Sequence, residues 1–269
     1  MNAHIDFESI GIGFGTSPLQ GEEAASAVAA AIEAGYTLID TASRYENEEA
    51  VGKGIRDSGI ARDDVIIQTK LRGNDHDNVR AALELSLAKL KVDYVDVWMV
   101  HWPLPMLGLY AQAYEEMAKL QEEGLVRALG VSNFLPEHLD QIKARTGLVP
   151  VANQIQVDPG IHRPELRKEL ADRGITVQAW SPLSKGGELL EADPIVAAAE
   201  AHGITPSQAV LAWHRAIGTV PIVRSTSDER RKQNLETVRV ELSPEEVEAI
   251  SGLPQRPLGE WDPATHDER

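Results

Sequence analysis

Short apolar runs rich in β-branched residues alternate along the chain with longer stretches whose apolar residues recur at spacings of three and four. The short runs have the length and composition of buried strands, and the longer stretches are typical of amphipathic helices. Regular alternation of strand and helix favours a parallel sheet, because each helix returns the chain to the edge where the next strand begins. The predicted strands cover residues 11–16, 36–40, 65–70, 94–101, 126–132, 151–155, 175–181 and 219–223.

Several helical stretches carry end signals. Thr205 before Pro206, and Ser243 before Pro244, are typical of a helix N-cap followed by a first-turn proline. Glycine closes three other helical stretches, as is common just past a helix C-terminus. The predicted helices include residues 22–35, 79–90, 110–124, 163–174, 205–218 and 243–253.

Eight strand–helix units favour closure into a (β/α)8 TIM barrel over an open doubly wound sheet. The 269 residues are close to the roughly 250 typical of one such barrel, although two smaller domains would also suit that length. We predict one domain over residues 1–269, with its active site at the C-terminal rim and an extended C-terminal tail from about residue 255.

Composition narrows the function classes. Hydrophobic residues make up 42% of the chain and charged residues 25%, without an apolar run long enough to span a bilayer. The N-terminus lacks the basic and apolar pattern of a secretory signal. The absence of cysteine excludes disulfides, thiolate metal sites and cysteine nucleophiles, and together these features favour the cytoplasm. A formal net charge of −16 argues against nucleic acid or anionic membrane as a partner.

Four polar side chains lie at or just past the ends of three successive predicted strands: Asp40 with Tyr45, then Lys70, then His101. In a parallel barrel the C-terminal strand ends open onto one rim, so these groups are expected to meet. A neighbouring ammonium stabilises phenolate, so Lys70 is expected to lower the pKa of Tyr45 and make it a proton donor. Asp40 would balance Lys70, and His101 would orient a carbonyl oxygen.

Each of these residues also has a structural interpretation. Asp40 and Lys70 could form a stabilising ion pair, Tyr45 a half-buried loop aromatic and His101 a hydrogen-bonded core histidine. Four such coincidences at matching strand ends would be needed to explain the pattern without catalysis.

The residues around these positions resemble those of the aldo-keto reductase superfamily over essentially the whole chain, in order and spacing. This resemblance implies NADPH-dependent carbonyl reduction with Asp40, Tyr45, Lys70 and His101 as the tetrad, and the chain is similar to the small microbial branch that includes 2,5-diketo-gluconate reductases. The matching segments are GFGT (13–16), LIDTASRYENEEAVGKGI (38–55), TK (69–70), VHWP (100–103), GVSNF (130–134), NQIQ (153–156), AWSPL (179–183) and VRSTSDERRKQN (223–234).

The resemblance also implies residues that hold NADPH/NADP+. Ser132, Asn133 and Gln154, after strands five and six, offer hydrogen-bond donors and acceptors to the carboxamide of the nicotinamide. Trp180 offers a flat face to the nicotinamide ring. A loop and helix N-terminus after strand eight suit the 2′-phosphate, with Gln233 and Asn234 facing the adenine. Arginine at position 224 keeps the charge but leaves use of NADH open. The predicted cofactor residues are Gly15, Thr16, Asp40, Ser132, Asn133, Gln154, Trp180, Ser181, Leu183, Arg224, Ser225, Thr226, Ser227, Arg230, Gln233 and Asn234, whereas Arg231 and Lys232 are expected to form a solvated helix face.

The predicted substrate pocket is lined by Ser17, Tyr45, His101, Trp102 and Asn133, with Trp261 as a further candidate from the tail. Small aldehydes, α-keto esters, methylglyoxal and keto sugars are the expected substrates, and we expect no metal and a monomer. Two other functions remain open on the residues alone: a non-catalytic NADPH-binding protein, and a lysine-dependent aldolase or metal-dependent isomerase on the same kind of barrel.

Overall fold

The computed structural model describes residues 5–268. Its strands form a closed parallel barrel in which each strand pairs with the next and the last pairs with the first, so the predicted fold class is confirmed. The strands are β1 (Gly13–Gly15), β2 (Leu38–Asp40), β3 (Ile66–Leu71), β4 (Val95–Val100), β5 (Val126–Ser132), β6 (Ala152–Gln156), β7 (Thr176–Trp180) and β8 (Thr219–Val223).

The helices lie between the strands in the order that the sequence pattern predicts. Thr205 and Ser243 accept hydrogen bonds from the third residue of their helices, which confirms both predicted N-caps. Within residues 5–268 the helices are α1 (Phe7–Ile10), α2 (Gly21–Ala34), α3 (Glu48–Asp57), α4 (Val79–Leu90), α5 (Tyr110–Glu122), α6 (Pro136–Thr146), α7 (Pro164–Asp172), α8 (Asp193–His202), α9 (Pro206–Ala216), α10 (Asp228–Glu236) and α11 (Pro244–Ser251).

Alternation along the strands separates two apolar layers. Outward residues such as Ile39 and Ile67 pack beneath the helices in the larger cluster, while inward residues such as Leu38 and Met99 fill the lower barrel. Gly13 allows this inner layer to close, because a Cβ there would lie 2.6 Å from a side-chain carbon of Ile222. The apolar floor leaves polar groups to gather at the C-terminal rim.

Candidate active site

Asp40 and Lys70 form a buried ion pair at the top of the barrel interior. Lys70 Nζ lies 2.7 and 2.8 Å from the two Asp40 carboxylate oxygens and donates to Thr41 O at 2.9 Å. Burial lowers the pKa of the Lys70 ammonium, but the charges and hydrogen-bonding groups of Asp40 and Tyr45 outweigh it, so the pKa is raised. Lys70 therefore stays charged in the barrel interior.

Three glutamines support this pair from below. Gln68 and Gln154 donate to Asp40 Oδ1 at 2.6 and 3.0 Å, and Gln178 Oε1 accepts from both of them. This network fixes the Asp40 carboxylate. It also places the Gln154 amide nitrogen against the Asp40 carboxylate.

Tyr45 lies above the pair on a 3-10 turn, Ser43–Tyr45, that follows β2. Ser43 Oγ donates to Lys70 O at 3.0 Å, and Gln20 Nε2 donates to the Tyr45 carbonyl at 2.7 Å. Lys70 Nζ lies 5.2 Å from the centre of the Tyr45 ring. The structure thus brings phenol and ammonium together as predicted.

The predicted net fall in the pKa of Tyr45 is wrong. Burial raises the pKa of the phenol more than the Lys70 charge lowers it, and the carboxylates of Asp40 and Glu268 raise it further. Tyr45 therefore retains its proton at neutral pH, as a proton donor must before reaction.

Asn47, which the sequence interpretation did not single out, anchors the loop that carries Tyr45. Its Oδ1 accepts from Thr41 Oγ1 at 2.8 Å, and its Nδ2 donates to the carbonyls of Thr16 and Leu19 at 3.1 and 2.9 Å. Its position in the segment LIDTASRYENEE was the available signal. Loop placement therefore depends on a buried amide two residues beyond the phenol.

His101 follows β4 and faces Tyr45 edge-on, with ring centroids 5.6 Å apart at 77°. Asn133 Nδ2 donates to the His101 carbonyl at 3.2 Å, which ties the ends of β4 and β5. All four predicted catalytic residues consequently share one part of the rim.

The prediction of an extended C-terminal tail is wrong. The chain forms a 3-10 turn, Gly259–Trp261, and folds back over the rim. Trp261 stacks on the buried Trp102 at 6.2 Å and 26° and contacts Trp180 edge-on at 5.8 Å, while the His266 ring lies 3.9 Å from Trp102. Aromatic packing supplies the reason, since these rings bury one another's apolar faces.

Glu268, the last described residue, lies against His101. Its Oε2 accepts from Gly73 N at 3.0 Å, and its Oε1 contacts His101 Nδ1 without a well-aligned hydrogen bond. The sequence carries no signal for this residue, because it is one of several acidic residues in a polar segment.

The residues predicted to hold the carboxamide lie together at the ends of β5, β6 and β7. Ser132 Oγ donates to Gln154 O at 2.8 Å and accepts from Asn133 Nδ2 at 3.0 Å. Trp180 Nε1 donates to Asn133 Oδ1 at 2.8 Å. This hydrogen bond fixes the orientation of the Trp180 indole at the rim.

The predicted phosphate site lies where β8 meets α10. Arg224 and Arg230 are both exposed, and neither forms an ion pair within residues 5–268. Ser227 caps α10 by accepting from Arg230 N at 3.4 Å, and Ser225 Oγ accepts from Ser227 N at 3.1 Å. Two cations and a helix N-terminus suit an anionic group.

Arg231 is not on the solvated helix face that the sequence suggested. It is 3% exposed, donates through its guanidinium to Ser225 O at 2.8 Å and contacts the Asp228 carboxylate. Lys232 is exposed, as predicted. Arg231 therefore holds the loop that carries Ser225 and Ser227 from behind.

The two amides predicted to face the adenine have protein partners here. Gln233 Nε2 donates to Glu229 Oε1 at 3.2 Å, and Asn234 is buried beside the Tyr36 hydroxyl. The remaining predicted residues follow strand ends: Gly15, Thr16 and Ser17 at β1, Ser181 and Leu183 after β7, and Thr226 after β8.

Thr16 gives an independent indication that the rim accommodates a polar ligand. Its Oγ1 is buried and has no hydrogen-bond partner among the described residues. Buried hydroxyls usually are hydrogen-bonded, so an unpartnered one beside Asp40 fits a site completed by a cofactor. No group of three or more His, Asp or Glu side chains in residues 5–268 is arranged to hold a metal ion. No helix in the same range is long and apolar enough to cross a membrane.

A parallel barrel whose C-terminal rim joins a phenol, a buried ammonium–carboxylate pair and an imidazole defines a carbonyl-reducing enzyme of the nicotinamide-dependent class. Comparison with known proteins gives the same class. The chain belongs to the Aldo/keto reductase family, whose model matches residues 10–254. It is an NADPH-dependent oxidoreductase.

Curated relatives and solved structures cover nearly the whole chain. It is 38% identical over 258 residues to the 2,5-diketo-D-gluconic acid reductase B of Corynebacterium sp., covering 95% of this chain and 93% of the relative. It is 38% identical over 245 residues to the methylglyoxal reductase DkgA of Escherichia coli, covering 91% and 89%. The structure of a Gox0644 point mutant in complex with NADPH matches with a TM-score of 0.89 and 34% identity, covering 95% of this chain and 94% of that one.

Proposed function

We propose that the protein reduces small aldehydes and ketones, including α-keto esters, methylglyoxal and keto sugars, to alcohols, with Tyr45 as the proton donor. The observation that carries this proposal is the fully buried Lys70, paired with Asp40 and 5.2 Å from the centre of the Tyr45 ring. A desolvated ammonium beneath a phenol stabilises the phenolate that proton donation leaves behind.

NADPH, when bound, would supply the hydride that the carbonyl carbon accepts. As negative charge develops on the carbonyl oxygen, the Tyr45 hydroxyl gives its proton to that oxygen. Lys70 stabilises the resulting phenolate, and Asp40, fixed by Gln68 and Gln154, keeps Lys70 oriented. His101, edge-on to Tyr45, holds the carbonyl oxygen between them.

We also propose that the rim residues hold the cofactor in two regions. Ser132, Asn133 and Gln154 would bind the carboxamide, with Trp180 against the nicotinamide ring. Arg224 and Arg230, with the Ser225–Ser227 loop, would bind the 2′-phosphate, because both arginines are exposed and unpaired in the part of the chain that the structure describes.

The substrate range is inferred from the mouth of the site and from relatives. Ser17 is small and exposed, whereas Trp102, with Trp261 stacked on it, narrows the opening near His101. Relatives named for a diketo acid and for methylglyoxal favour compact, polar carbonyl compounds. We infer a cytoplasmic monomer from the absence of cysteine and the strongly negative charge.

The test is NADPH consumption, followed by absorbance, with a panel of these carbonyl compounds. Tyr45→Phe is expected to lower the turnover number by about 10²–10⁴-fold while still quenching tryptophan fluorescence on binding NADPH. Tyr94→Phe, at the opposite end of the barrel, is the matched control and is expected to react normally. Full activity in Tyr45→Phe would refute the proton donor, and NADPH binding without turnover by the wild type would favour a binding protein.

A further inference from the structure

The C-terminal segment places a carboxylate in the catalytic cleft. Glu268 is only 7% exposed, although a carboxylate loses much of its hydration energy on burial. A buried carboxylate needs hydrogen-bond donors or positive charges in place of water. The rim therefore contains a site that can bind a carboxylate.

Two groups contact this carboxylate directly. The Gly73 amide donates to Oε2 at 3.0 Å, and His101 Nδ1 contacts Oε1. Burial raises the pKa of Glu268, but the interactions with His101 and Gly73 lower it more, so the net pKa falls below its ordinary value. This site stabilises the anionic form.

His76 adds hydrogen-bonding capacity that Glu268 leaves unused. The ring is 1% exposed, and neither of its nitrogens has a partner among residues 5–268. His76 follows the 3-10 turn Gly73–Asp75, whose first amide binds Glu268, and burial lowers the pKa of His76 to about 4 against the opposing charge of Glu268. Buried imidazoles are usually hydrogen-bonded, so the neutral ring of His76 leaves an N–H donor available to a carboxylate at this site.

We propose that Gly73 N–H, His101 Nδ1 and His76 form a carboxylate subsite, which Glu268 occupies in this structure and which the carboxylate of a keto-acid substrate occupies during reduction. The proposal rests on the function proposed above and specifies its substrate class. A side chain tethered to the site competes at high effective concentration, and a substrate that carries its own carboxylate displaces it, whereas neutral carbonyl compounds react without using the subsite.

Direct binding tests the subsite without requiring turnover. The protein loaded with NADP+ is titrated calorimetrically with benzoate and with benzamide, its neutral analogue. Glu268→Ala is expected to bind benzoate at least about tenfold more tightly than the wild type does, the size of one charge-assisted hydrogen bond. Benzamide is expected to gain less than about threefold, and Glu260→Ala, an exposed tail variant, to change neither.

A second variant assigns the role of His76. In the Glu268→Ala background, His76→Leu is expected to remove most of the gain for benzoate, and His76→Gln, which keeps an amide donor, to retain part of it. Equal gains for benzoate and benzamide would show that the tail blocks the cleft only by its bulk and would overturn the subsite. Failure of the wild-type protein to reduce any carbonyl compound of the panel, with benzoate binding as expected, would instead count against the proposed function.

Discussion

Lys70 Nζ lies within 2.8 Å of both carboxylate oxygens of Asp40, and neither side chain is more than 4% exposed. In this setting each charge depends on the other, because neither has water to stabilise it. The pair therefore contributes to the fold, and Lys70 connects it to the Tyr45 ring above.

Asp40→Asn is expected to destabilise the protein by about 3–5 kcal/mol, because it leaves a buried ammonium without its counter-charge. Urea unfolding followed by circular dichroism measures the change. Asp57→Asn, on the exposed end of α3 where Asp57 pairs with Lys53, is the control and should leave the unfolding midpoint nearly unchanged. Equal losses of unfolding free energy in the two variants would contradict the prediction, because the buried pair would then matter no more to stability than an exposed one.

Arg224→Ala is expected to raise the Michaelis constant for NADPH by about tenfold and to leave that for NADH nearly unchanged, since only NADPH carries the 2′-phosphate. Steady-state kinetics with each cofactor measure the difference. Lys232→Ala removes a nearby exposed charge outside the proposed contact and should affect both cofactors little. A similar increase for both cofactors in Arg224→Ala would remove Arg224 from the phosphate site.

Arg231→Met is expected to cost about 1–3 kcal/mol of stability, because the buried Ser225 carbonyl loses its donor. It should also weaken NADPH binding, since the displaced loop carries Ser225 and Ser227. Urea unfolding and NADPH titration measure the two effects. Unchanged cofactor affinity in a destabilised variant would limit Arg231 to a structural role.

His214 predicts a pH dependence of stability. The ring is buried between Thr219 and the Pro182 carbonyl, and burial lowers the pKa of His214 to about 3. Between the ordinary value of 6.5 and about 3, the unfolded chain binds a proton there that the folded protein does not. The free energy of unfolding should therefore fall as the pH drops through this range.

Urea titrations at several pH values test this contribution. His214→Gln should reduce the loss of stability between pH ~6.5 and pH ~4.5 relative to the wild type, because one proton uptake is removed. His202→Gln, on the exposed end of α8, provides the comparison. An unchanged pH slope in the His214 variant would contradict the assignment.

The barrel and its tetrad were predictable from the sequence because both depend on local regularities. The strand Val126–Ser132 and the helix Val79–Leu90 begin and end at the predicted residues. Parallel strands place their C-terminal ends on one rim, so Asp40, Lys70 and His101 were expected to meet before any coordinate was known.

Other features depended on contacts between distant residues, which leave no local pattern. Arg231 looked like a surface cation because its neighbours are charged, yet its guanidinium reaches back to Ser225 O inside the loop. The pKa of Tyr45 depends on the balance between burial and three charges, including one from residue 268. Such a balance is set by distance and solvent access rather than by residue order.

The sequence alone determined the closed barrel, the meeting of Asp40, Tyr45, Lys70 and His101 at one rim and the class of reaction, since strand–helix periodicity and motif order are properties of the chain itself. Only the tertiary structure decided that the C-terminal segment folds over the rim and brings Glu268 to His101. That contact joins residues far apart in the chain, and the segment is held there by aromatic packing on Trp102 and by the hydrogen bond from Gly73 N to Glu268, which exist only after the barrel has formed.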